Sequence, residues 1–195
     1  MSIKRDVTGL WIGSLLAGML LSGATAAAET YQVDPVHSYV LFRVKHLDIG
    51  YSYGRFPGPA GVIQWDDAAP EKSRVEMSVD VASVDTDVEK RDQHLKSADF
   101  FDVEQHPAIT FRSTSIKKTG DETFAVAGDL TLLGKTRPVT AVVRRTGAGK
   151  DPWGQYRIGF ETVFTIQRSA WGMNFMLNGV SDAVDITVSV EGIRQ

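Results

Sequence analysis

The chain has 195 residues, a formal net charge of −3 at pH 7 and no cysteine. Without cysteine there is no thiol catalysis, thiolate metal site, disulfide staple or lipid attached through an N-terminal cysteine, so core burial has to hold the fold. A mildly acidic balance without basic clusters is a poor match to nucleic acid.

Residues 1–28 read as an export signal rather than as part of the fold. Lys4 and Arg5 make a positive start, residues 10–21 an apolar run, and residues 26–28 a small-residue cleavage site, which places the cut between Ala28 and Glu29. The apolar run is short against the roughly 20 residues of a bilayer span, which disfavours an uncleaved anchor. Export by the general or the twin-arginine route stays open. The expected compartment is the bacterial periplasm, and residues 29–195 are expected to form one barrel domain.

From there on apolar residues alternate with polar ones. Strands are expected at 39–46, 55–65, 73–81, 108–116, 123–132, 138–145, 155–166 and 183–192, with a short extra one at 31–33. Val75, Met77, Val79 and Val81 form one dry row, and Val184, Ile186, Val188 and Val190 another. Short turns at 119–122 and 133–136 favour antiparallel neighbours, and residues 147–154 read as a longer loop. The fold class is therefore all-β, an eight-stranded antiparallel barrel or a sandwich, and a barrel of that size holds side chains or one small ligand.

Residues 86–101 break the pattern and read as helix. Thr86 and Glu89 have capping-box spacing, Val88 and Leu95 share a face, and Ser97 is placed to cap a further turn carrying Phe100 and Phe101.

Taken in order, several segments resemble the YceI-like family of secreted lipocalin-like proteins. They are Asp34 to His46, with His37, Ser38, Phe42 and Val44; Gly54 to Phe56; Arg91 to Asp102; His106 to Phe111; Gly128 to Gly134; and Arg168 to Met173. Ala98 and His106 depart from the residues often found at those places. The resemblance implies a lipocalin-like barrel around a long apolar channel and binding of a polyisoprenoid or similar amphiphile, such as a quinone, an isoprenoid phosphate or a fatty amide. It implies no metal or nucleotide cofactor. It also implies homodimers in some members and a stress-response role in several; a transient contact with a membrane or a membrane protein is expected besides.

On that basis the channel is expected to be lined by Phe42, Val44, Phe56, Met77, Val79, Phe111, Phe124, Leu132, Phe160, Phe164, Trp171, Met173 and Phe175. Composition alone favours an ordinary filled core for the same residues. Arg168 and His46 are the polar candidates for a head group; for Arg168 an ion pair with Asp182 or Asp185 competes with that reading. Arg91, Asp92, His94, Leu95, Asp99, Phe100 and Phe101 are expected to close the barrel as a salt-bridged latch, with acid–base catalysis as the alternative. Asp92 and His94 are two apart and do not face each other on a helix. No histidine spacing matches a metal motif. Asp34, His37 and Ser38 lack the nucleophile elbow of a hydrolase. The expected function is lipid carriage or sequestration without catalytic residues; the alternatives are an enzyme built on Arg168 or the His94–Asp92 region, and a packed barrel with no ligand.

Overall fold

Ten strands form one antiparallel sheet in the computed structural model, which describes residues 28–195. All of the expected signal segment except Ala28 lies outside the described residues. In chain order the strands are β1 (Glu29–Val33), β2 (Tyr39–His46), β3 (Gly50–Phe56), β4 (Ala60–Trp65), β5 (Arg74–Asp80), β6 (Ala108–Gly120), β7 (Thr123–Leu132), β8 (Lys135–Lys150), β9 (Tyr156–Gln167) and β10 (Val180–Arg194). One helix, α1 (Glu89–Lys96), lies between β5 and β6.

Closure depends on β1. It pairs with β4 on one side and with the end of β10 on the other, so that Tyr31 lies opposite both Ile63 and Arg194. β1 and β4 to β10 thereby make a closed eight-stranded barrel, and no free edge runs along that ring. The hairpin of β2 and β3 extends the sheet beyond it, with β2 pairing along Val180–Ser189 of β10. A single strand, β10, thus carries β1 at one end and β2 at the other.

The corner between β1 and β2 holds this arrangement. Asp34 N–H donates to the Glu191 carbonyl at 2.8 Å, and its carboxylate accepts from Val36 N–H at 2.9 Å. Asp34 Oδ2 lies 2.6 Å from Arg157 Nη1 and 2.8 Å from His37 Nδ1. Ser38 Oγ accepts from Glu191 N–H at 3.1 Å.

The strand boundaries differ from the sequence reading in several places: β3 begins at Gly50, ahead of the expected start at 55, β6 runs on to Gly120, and β10 spans Val180–Arg194. Residues 55–65 are two strands, because Pro57, Gly58 and Pro59 interrupt them and Gly58 takes a positive φ of 65°. Residues 147–150 belong to β8, since pairing with β9 runs out to Lys150 opposite Tyr156. The turn is only 151–155, pinned by Asp151 Oδ1 accepting from Trp153 and Gln155 N–H.

The capping box does not form. Val88 occupies the N-cap of α1 without a side-chain bond. Thr86 turns to Asp92 instead, donating through both N–H (2.9 Å) and Oγ1 (2.5 Å), while Arg91 donates to the Thr86 hydroxyl and carbonyl at 2.7 Å each. Ser97 is the C-cap of α1 and donates to the His94 carbonyl at 2.8 Å.

Two apolar clusters fill the barrel ends. One is built on Trp65, whose ring centroid lies 4.8 Å from those of Phe124 and Phe160. The other gathers Phe56, Phe101, Leu132, Trp171 and Met173, with the Phe101 ring edge-on to Phe56 at 5.5 Å.

Candidate functional site

A cavity of about 270 Å³ remains inside the barrel. Its wall extends from Val126, Phe160 and Val190 of the Trp65 cluster to Leu95, Phe100, Phe101 and Met173. Strand alternation explains the wall. Every second side chain of a closed barrel points inward, and here those side chains are almost all aliphatic or aromatic.

Of the expected channel residues, Phe42, Val44, Phe56, Met77, Val79, Phe111, Leu132, Phe160, Phe164 and Met173 line this cavity. Phe124, Trp171 and Phe175 do not. Phe124 is buried in the Trp65 stack. Trp171 is buried with its Nε1–H donating to the Leu130 carbonyl at 3.1 Å. Phe175 lies at the surface, edge-on to His94 and Phe100. Val139, Ala141 and Val143 of β8 and Ile109 of β6 also line the cavity. The alternation of residues 138–145 carried that signal.

The two polar candidates part company. His46 is exposed at the end of β2 and does not line the cavity. Arg168 does line it and is only 2% exposed. It opens a 3-10 turn, Arg168–Trp171, at the end of β9. Its Nε donates to the Ser181 carbonyl at 3.0 Å, Nη1 to Met173 at 2.9 Å and Nη2 to Val180 at 2.9 Å. The competing ion-pair reading is not what forms. Asp182 accepts from Ser169 N–H and Oγ at 2.8 and 2.6 Å, and Asp185 is held by Arg43 and Thr165. Burial pushes the Arg168 guanidinium below its ordinary pKa, against a smaller opposing pull from Asp182.

The latch residues meet as two pairs beside the cavity. Arg91 and Asp92 bind Thr86, as above. His94 Nε2 lies 2.8 Å from Asp99 Oδ2, with both side chains about half exposed. Leu95, Phe100 and Phe101 face the cavity itself. The Arg91–Asp92 pair meets only the Thr86 hydroxyl and backbone, and the His94 ring lies edge-on to Phe100 and Phe175.

Asp34, His37 and Glu191 also come together, and their ligand atoms lie within 4.8 Å of one another. Arg157 already donates to Asp34 and, at 3.1 Å, to Glu191, so a guanidinium fills the position a cation would take. Burial alone would raise the Asp34 carboxyl; hydrogen bonds from Arg157 and His37 outweigh it and hold the group well below the carboxylate range. Ser38 bonds to the Glu191 backbone, not to His37, so no triad forms.

A closed antiparallel barrel around an apolar cavity, with one buried cation in its wall, defines a lipocalin-like class of barrel. The YceI-like domain model matches residues 31–192, and the chain belongs to that family. A UPF0312 protein of Azotobacter vinelandii is 41% identical over 195 residues, covering 99% of this chain and 100% of the relative. Protein YceI of Escherichia coli O157:H7 is 39% identical over the same span and coverage. Among solved structures, BcnA of Burkholderia cenocepacia superposes with a TM-score of 0.75 at 27% identity, covering 82% of this chain and 98% of BcnA. A polyisoprenoid binding domain from Saccharophagus degradans, implicated in plant cell wall breakdown, shares the fold with a TM-score of 0.65 at 15% identity, covering 87% and 100%.

Proposed function

We propose that this protein carries or sequesters a long-chain amphiphile of isoprenoid type in the periplasm, after export and removal of residues 1–28. The observation that carries this reading is the cavity of about 270 Å³ with an almost wholly apolar wall. Water gains little there, because it needs two to four polar partners to stay. Leaving such a void empty is also costly. At roughly 24 cal/mol per Å³ its loss is about 6 kcal/mol, comparable with the whole stability of many domains. An apolar tail removes that loss, and a packed barrel without ligand would not have kept the space. A neighbour of the same fold is a polyisoprenoid-binding domain, which supports the same chemistry in a likeness of fold alone.

The tail dominates the energetics. Each buried CH₂ contributes about 0.8 kcal/mol, so a chain of roughly 40 carbons would nominally exceed the ceiling of about 20 kcal/mol for noncovalent binding. Ordering of the tail and incomplete burial absorb the excess. Catalysis is disfavoured because the polar groups near the cavity are already bonded to the chain itself, as with Asp92 to Thr86 and Asp182 to Ser169.

The test is to purify the protein from its native host without detergent, then combine native mass spectrometry with lipid extraction. A bound long-chain amphiphile is expected. Protein that is consistently empty and takes up no apolar probe would sink the proposal. No metal or nucleotide is needed, and the same native spectra report whether the protein is a monomer or a homodimer.

A further inference from the structure

We infer that Arg168 anchors the head group of the bound lipid, and that the head is anionic, a phosphate or a carboxylate. This rests on the lipid-binding reading above and specifies the ligand of the same cavity.

Arg168 is buried, lines the cavity and forms no ion pair among the described residues. A guanidinium offers five N–H donors in a planar fork. Three are used, each on a different carbonyl of residues 173–181, and two are left over. The carbonyls are neutral, and Asp182 acts on the charge from a distance without forming an ion pair with it, so the positive charge is only partly compensated. A buried charge in that state is expensive, and an anion placed against it removes the penalty. The nearest acid, Asp182, is committed to Ser169. Glu161 belongs to the cavity wall but sends its carboxylate to Arg144 at 3.3 Å. No carboxylate of the wall therefore competes for the fork.

Position favours the same assignment. Arg168 stands at the end of β9, where Phe100, Leu95 and Met173 also border the cavity, whereas the opposite end is filled by Trp65, Phe124 and Phe160. A head held at Arg168 leaves the apolar wall toward Val126 and Val190 for the tail.

The experiment uses delipidated mature protein and three C20 probes sharing one skeleton: geranylgeranyl phosphate, geranylgeraniol and the saturated hydrocarbon phytane. Affinities are read by displacement of a fluorescent apolar dye. The natural protein is expected to bind the phosphate roughly ten- to a hundredfold more tightly than the alcohol, the range of one charge-assisted hydrogen-bond pair. Arg168→Gln, which keeps a donor for the loop carbonyls, should reduce that ratio to about one while phytane still binds. A merely structural arginine would weaken all three probes alike, so an unchanged ratio in Arg168→Gln overturns the inference. Equal binding of phosphate and alcohol by the natural protein also overturns it and leaves lipid carriage standing. If the natural protein takes up none of the three, lipid carriage falls and the inference with it. Should Arg168→Gln not fold, Arg168→Met is measured in its place with the same expected ratio, and the natural protein's own ratio still decides.

Discussion

The far edge of the Phe42 ring occupies the space in which a Cβ at Gly54 would stand. The two residues are paired across β2 and β3, and the Phe42 ring lies 5.5 Å from that of Phe56 in the cavity wall. Glycine at 54 therefore sets how far Phe42 can retreat from the lumen. Gly54→Ala should push the ring inward, destabilise the protein by about 1–3 kcal/mol and narrow the cavity. Urea denaturation and probe uptake check both effects. Adding Phe42→Leu should recover most of the loss; if it does not, crowding between these two residues is not the cause.

Ala141 offers the opposite manipulation. It lines the cavity opposite Val126 in the pairing of β7 with β8. Ala141→Leu fills part of the void and is expected to stabilise delipidated protein by about 1–2 kcal/mol. Lipid capacity should fall at the same time. The two readouts, a denaturation midpoint without ligand and saturation with a long-chain probe, are expected to move in opposite directions.

The segment around α1 separates latch from catalysis. Asp92→Ala removes the one oxygen, Oδ1, that accepts from both Thr86 donors, and should cost about 1–2 kcal/mol, with faster release of bound lipid. His94→Ala breaks a pair that is about half exposed and should cost less than about 1 kcal/mol, leaving equilibrium uptake unchanged. Stopped-flow release of a fluorescent lipid measures the difference.

Acid should loosen the corner between β1 and β2. Asp34 is held below its ordinary pKa by Arg157 and His37, against the upward push of burial. A carboxyl depressed in the folded state contributes stability above its unfolded pKa of about 4, and that contribution is lost as pH falls from there toward the folded value. The melting temperature is therefore expected to drop more steeply between pH 5 and pH 2, roughly the window set by that titration, in the natural protein than in Asp34→Asn. Identical slopes would show that Asp34 does not carry the acid sensitivity.

Much of the barrel was legible in the chain because alternation is a local property. The inward rows of β5, β9 and β10 could be read directly, and ten of the thirteen expected channel residues do line the cavity. Alternation specifies a face and not a depth, which is why Phe124 reads as a channel residue and is instead buried in the Trp65 cluster; Trp171 lies in the 3-10 turn after β9, where no strand periodicity fixes its direction, and is buried in the other cluster. Phe175 and His46 fail for a related reason. They lie on the correct segments, but at ends where the chain has already left the lumen.

By itself, the sequence determined the strands, the polar break at 86–101, the absence of thiol chemistry and the family to which the chain belongs. Tertiary structure decided the rest. Closure of the barrel comes from β1 pairing with both β4 and β10, partners far away in the chain that no local pattern names. The fate of Arg168 was likewise open. Asp182 and Asp185 were plausible partners by proximity in sequence, and only the folded chain turns both toward other groups and leaves a buried cation in the wall of an apolar cavity. Hydrogen bonds and charges act over a few ångströms, and those distances are set by packing across the whole barrel.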